Sequence, residues 1–146
     1  MEFVCDSEWT YFQPTNSCYK MGHNKNFNDA NTDCMSQGAN LASIHSAAES
    51  AFLVDFSKSG LTADATEVYI GLTNPGPPCT TYSWTDGTPF DYQNFAVINT
   101  CANGECTRMF PDQTVTMPTP AIGSWIGLTC SVPLRGYICK KSAQSI

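Results

Sequence analysis

Residues 68–72 read Val68-Tyr69-Ile70-Gly71-Leu72, a run with no charge, no amide and no proline. β-Branched and aromatic residues dominate it and it is too short for a helix, so it predicts a buried strand. The chain differs on its two sides. Downstream, from Thr73 to Glu105, Pro, Gly, Asn, Thr and aromatics crowd together with little periodicity, and only Tyr82 to Thr85 reads as a strand, turned by Asp86-Gly87. About thirty residues of mostly irregular chain inside a compact domain are usually functional or cross-linked. Cys79 and Cys101 lie within this stretch.

Upstream the chain is periodic. Trp9 to Lys20 has aromatic runs on either side of Pro14-Thr15-Asn16, a turn composition that predicts a β-hairpin closed by Cys5 and Cys18. Phe27, Ala30, Asn31 and Cys34 recur at helical spacing, with Asn26 as cap and Gly38 as stop. Ser46-Ala-Ala-Glu49 is a capping box that opens a second helix over Ala47 to Lys58, stopped by Gly60. Beyond the irregular stretch, strands are expected at Cys106 to Phe110, Ser124 to Leu128 and Arg135 to Lys140. Two helices followed by strands and a long loop indicate an α+β domain.

A chain of 146 residues fits one domain. With 13 acids against 7 bases and no basic stripe, nucleic acid is not an expected partner. No apolar run reaches the ~18 residues of a membrane span. The beginning has no basic segment followed by an apolar one, and residues 1–3 are read as an artificial junction, 4–141 as the domain and 142–146 as a tail. Eight cysteines, none in a CxxC pair, argue for four disulfides and an extracellular, secreted protein. No Asn-x-Ser/Thr sequon is present.

Candidate chemistry is sparse. Neither His23 nor His45 sits in a nucleophile, metal or phosphate motif, and His45, placed where a helix starts, is read as a hydrogen-bonded structural residue. No catalytic residue is assigned and an enzyme is not expected. Tyr82, Trp84, Phe90, Tyr92 and Phe95 could stack on sugars, but a loop of this length must also build its own small core, and that reading is preferred.

The order of these features, with "NLASIHSAAE", "YIGL", "YSWTDGTPFDYQNF", "ECTRMF", "GSWIGLTC" and "RGYICKK", resembles a C-type lectin-like domain of the long form over Cys5 to Lys141. In texture it is similar to secreted invertebrate members, of the nematode type. The resemblance implies a C-type lectin-like fold, with two helices, small antiparallel sheets and a long disulfide-stapled loop. It also implies the pairs Cys5–Cys18, Cys34–Cys139 and Cys106–Cys130, which leaves Cys79 and Cys101 as a staple inside the loop. Cys101 competes with Cys106 for Cys130.

Sugar binding in this family normally uses calcium held in the long loop by a Glu-Pro-Asn type triplet and an Asn-Asp pair after a tryptophan. Calcium takes about six to eight oxygen ligands. Here the triplet falls on Val97-Ile98-Asn99 and the pair on Ile126-Gly127, so two carboxylates are gone and Asn99 and Glu105 remain. No acid lies between Leu72 and Thr85 for the auxiliary site. The resemblance therefore implies a module that binds an extracellular protein or a glycan through its long-loop face, with no metal or other cofactor. The alternative is a glycan-binding lectin with a non-standard calcium site. Contacts are expected at Tyr92, Asn94, Asn99, Asn103, Glu105 and Ile126, because Tyr and Asn give contact area and hydrogen bonds at low entropic cost. A competing face is a small basic patch at Arg135, Lys140 and Lys141. A homodimer is a further expectation, since some family members assemble as dimers.

Overall fold

The computed structural model describes residues 2–76, 80–96 and 105–146. In chain order the elements are β1 (Phe3–Val4), β2 (Thr10–Phe12), β3 (Ser17–Lys25), α1 (Phe27–Ser36), β4 (Asn40–Leu41), α2 (Ala47–Ser57), β5 (Val68–Asn74), β6 (Ser83–Trp84), β7 (Glu105–Met109), β8 (Trp125–Leu128), β9 (Leu134–Ser142) and β10 (Gln144–Ser145). The main sheet runs β2-β3-β9-β5-β7-β8, with β4 added to β9 and β6 to β5. Its pairs are antiparallel except β5 with β9, which run parallel.

Local chemistry accounts for the helices. The Asn26 side chain accepts from the Asp29 N–H at 2.9 Å, and α1 buries Phe27, Ala30 and Cys34 on one face before Gly38 turns the chain at φ 73°. Ser46 Oγ accepts from the Glu49 N–H at 3.1 Å to start α2. That helix ends at Ser57, because Lys58 has already turned extended at φ −63°, ψ 145°. The β2–β3 turn contains one turn of 3-10 helix at Gln13–Thr15 and a left-handed Asn16, whose Oδ1 accepts from the Tyr11 hydroxyl.

Two apolar clusters lie on the two faces of the sheet. One gathers Tyr19, Leu53, Ile70, Leu72, Trp84, Met109 and Trp125, and the other Phe27, Leu41, Tyr69, Tyr137 and the Cys34–Cys139 bridge. β5 alternates between them, which is why its sequence is apolar throughout. Gly71 has a separate reason. Its N–H donates to Ala42 O at 2.8 Å, and a Cβ there would lie 2.6 Å from Leu41 O.

Disulfides join Cys5 to Cys18, Cys34 to Cys139 and Cys106 to Cys130, so Cys106 is the partner of Cys130. Cys79 and Cys101 lie outside the described residues. At the chain ends, Phe3 pairs with Ser145 and Val4 with Gln144 in a two-stranded sheet of their own.

Candidate functional site

Trp125 opens β8 with 0 % exposure and organises the base of the long loop. Trp84, Phe95 and Tyr92 meet its ring edge-on, with centroids at 5.6, 5.5 and 5.9 Å. Its N–H donates to Asn94 O at 2.8 Å and its carbonyl accepts from Ala96 N at 2.7 Å, while Asn94 Nδ2 donates to Gly123 O at 2.9 Å. Tyr82 and Phe90 close the group through Phe95. The loop aromatics thus pack onto the main core through Trp84 and Trp125 instead of building a separate one.

Past Trp125, Ile126 and Leu128 are half-buried, and Ile126 sits opposite Arg108 across β7–β8. Gly127 is opposite Thr107 on the other face, where a Cβ would run into the Glu105 carboxylate. This is the strand on which the resemblance places two calcium ligands. Ile126 and Gly127 offer no side-chain oxygen, and Glu105 occupies the space that a side chain at 127 would need. This donor set does not fit the calcium site of the family pattern. Among the expected contact residues, the structure brings Tyr92 and Asn94 onto Trp125 and Gly123, and Glu105 and Ile126 onto neighbouring strands. Asn99 and Asn103 lie outside the described residues.

At the foot of the loop, His45 Nδ1 lies 2.6 Å from Asp91 Oδ1 and Nε2 lies 2.9 Å from Thr88 Oγ1. Hydroxyl, imidazole and carboxylate in that order have the outline of a nucleophilic triad. The protons argue otherwise. Thr88 Oγ1 is 2.5 Å from Asp86 Oδ1, and a carboxylate only accepts, so the single hydroxyl proton goes there. With that proton committed to Asp86, the hydroxyl has none to give the imidazole. The cluster clamps residues 86–91 to the start of α2, and His45 is hydrogen-bonded through both ring nitrogens.

A groove of about 750 Å³ opens beside this clamp, with Asn40, Lys140 and Lys141 on its walls. Each residue of the basic patch expected at Arg135, Lys140 and Lys141 has an acidic neighbour. Lys140 Nζ is 2.6 Å from Glu49 Oε2 and its side chain is 12 % exposed, Lys141 Nζ is 2.6 Å from Asp6, and Arg135 donates to Thr66 O and Ser57 O beside Asp112. Sequence reasoning missed these partners because Glu49 reads as a surface capping residue.

Asp86 links the groove to the clamp. Burial raises its carboxyl pKa, but hydrogen bonds from the Ser43 and Thr88 hydroxyls and the Thr88 N–H outweigh this and hold it below the usual value. A folded pKa below the unfolded one, about 3.9, contributes stability that is present above that pH and lost as the pH falls through the folded value. Tm should therefore fall as pH drops below about 4. Asp86→Asn should flatten that part of the curve in a thermal scan between pH 6 and pH 2. An unchanged acid limb in the variant would show that Asp86 contributes nothing to it.

A family model described as the Lectin C-type domain matches residues 23–141. A rat protein, C-type lectin domain family 4 member F, is 40 % identical over 85 residues, which is 58 % of this chain and 14 % of the relative. The chain thus spans only a small part of that relative. Among solved structures, the cow C-type carbohydrate-recognition domain of CD23, determined in the presence of a GlcNAc2Man3 oligosaccharide, superposes with a TM-score of 0.77 at 27 % identity, covering 98 % of this chain and 99 % of that one. A calcium-independent type II antifreeze protein superposes with a TM-score of 0.76 at 26 % identity, covering 99 % and 98 %.

Proposed function

Because the chain belongs to the family of C-type lectin domains, we propose that it takes an extracellular protein or glycan on its long-loop face, without calcium at the family's usual sugar position. The family is one of binding modules rather than enzymes, and its domains are largely found outside cells or on membrane receptors. No helix among the described residues is long and apolar enough to cross a membrane.

One observation carries the reading: β8 presents Ile126 and Gly127 where the family pattern has oxygen ligands, and the Glu105 carboxylate fills the space over Gly127. A neighbour of the same fold is itself described as calcium-independent. The second reading, a lectin with calcium held in a non-standard way, draws support from that same Glu105 carboxylate, which remains next to the strand. Secretion of the chain and its assembly as a homodimer belong to the proposal too. Light scattering at several concentrations tests the second of these.

A glycan array probed with calcium and with chelator separates the readings. Signals that persist in chelator support the first, and signals abolished by it support the second. Ile126→Ser, Asn99→Ala and Asn103→Ala should each weaken binding to the array's strongest glycan. The expected loss for Ile126→Ser is about tenfold, equivalent to about 1.4 kcal/mol, with Tm nearly unchanged. Unaltered binding in all three would move the site off the loop.

A further inference from the structure

Below Ile126, the β7–β8 edge and residues 110–120 border an open cavity of about 320 Å³, at the small end of the roughly 300–1,000 Å³ range of ligand pockets. Phe110, Met117, Pro118, Pro120 and Ile126 make its apolar walls, and Arg108 and Thr114 also line it. Two polar atoms of these walls are buried without a hydrogen-bond partner: Arg108 Nε and Thr114 Oγ1, the latter in a residue 6 % exposed. Buried polar groups are nearly always paired, with protein or with ordered water, so each of these two atoms calls for a partner. Arg Nε–H can only donate, so the partner it lacks is an acceptor.

Charge narrows the choice. The Arg108 guanidinium already has Glu67 at 3.7 Å and lies over the Phe110 ring, and Asp64 also borders the cavity. A ligand anion would meet those two carboxylates, so the acceptor is neutral. With apolar walls on the other side, a carbonyl carrying a small apolar group satisfies both demands. We propose that this cavity receives the acetamido group of an N-acetylated amino sugar, its carbonyl oxygen accepting from Arg108 Nε with Thr114 Oγ1 as second donor, its methyl group against Phe110 and Ile126. The proposal deepens the glycan reading at the Ile126 end of the binding face and rests on it. Neither donor atom is open to water, so a wall residue must turn aside. Met117, 77 % exposed and unbranched, is the most adaptable of them.

The sequence contains two arginines, and Arg135 Nε already donates to Thr66 O at 2.7 Å, so its side-chain resonance is an internal control. In ¹⁵N NMR of the full chain, methyl N-acetyl-β-glucosaminide should shift the Arg108 Nε–H resonance and leave that of Arg135 in place. Methyl β-glucoside, which lacks the acetamido group, should shift neither. Thr114→Val removes an unpaired hydroxyl at constant shape, so it should raise Tm by about 2–4 °C while weakening the glucosaminide response at least about fivefold. Equal responses to the two glycosides overturn the proposal. So does an equal response to N-acetylalanine methylamide, which would make the site one for peptide amides. A silent Arg108 alongside a positive glycan array also overturns it, while leaving the long-loop reading in place.

Discussion

Replacing Trp125 by alanine should cost about 3–5 kcal/mol, the range for removing a large aromatic from a closed core, and lower Tm by roughly 10 °C or more. Trp125 is fully buried and is the shared contact of Trp84, Tyr92 and Phe95. No neighbour can fill the space without abandoning another ring. The loop registers the loss as well, because Asn94 and Ala96 hydrogen-bond to the backbone of Trp125 itself. Trp125→Phe tests the assignment more finely. The indole N–H has no partner, so phenylalanine gives up volume but leaves no acceptor unpaired, and it should recover more than half of the loss. Urea midpoints of the two variants, with near-ultraviolet circular dichroism for the loop aromatics, provide the check. Equal damage by both substitutions would show that the indole nitrogen matters after all.

Truncating Glu49 to alanine should be comparably severe, about 3–5 kcal/mol, because it leaves a partner charge buried and uncompensated. The Glu49 carboxylate has no exposed surface. It accepts from Lys140 Nζ at 2.6 Å, from the Tyr19 hydroxyl at 2.6 Å and from the His45 N–H at 2.9 Å. Tyr19 reports the same environment: burial first, then its hydrogen bond to Glu49, pushes its hydroxyl pKa far above the usual value. Glu49→Gln keeps the shape but leaves Lys140 facing a neutral amide, so an intermediate loss is expected. The double variant Glu49→Leu with Lys140→Met removes both charges and should be more stable than Glu49→Ala alone. It should still fall short of the native chain, since Tyr19 and His45 lose their acceptor. A double-mutant cycle on denaturation midpoints measures this coupling, and strict additivity would mean that the pair acts as two independent surface charges.

What the sequence by itself determined is what neighbours along the chain decide. Asn26 and Ser46 accept hydrogen bonds from residues three places ahead of them, Gly38 and Gly60 take up positive φ just past the helix ends, and the apolar run at 68–72 needs only its own composition to be recognised as a buried strand. The family resemblance is legible for the same reason, as an ordered series of such local signatures. Tertiary structure alone decided the rest. Glu49 reads as a capping acid until Lys140, 91 residues away, is brought onto it. His45 reads as isolated until Thr88 and Asp91, 43 and 46 residues along the chain, are brought onto it, and Lys140 reads as surface charge until β3 and β4 pair on either side of it. Gly127 is a lost ligand position in the sequence, but in the fold it is the place where Glu105 lies, and Cys130 chooses Cys106 over Cys101 only because β7 and β8 pair. A capping bond or an apolar period is set within one turn of chain, whereas the partner of a buried charge or a cysteine depends on which distant strand the sheet places beside it.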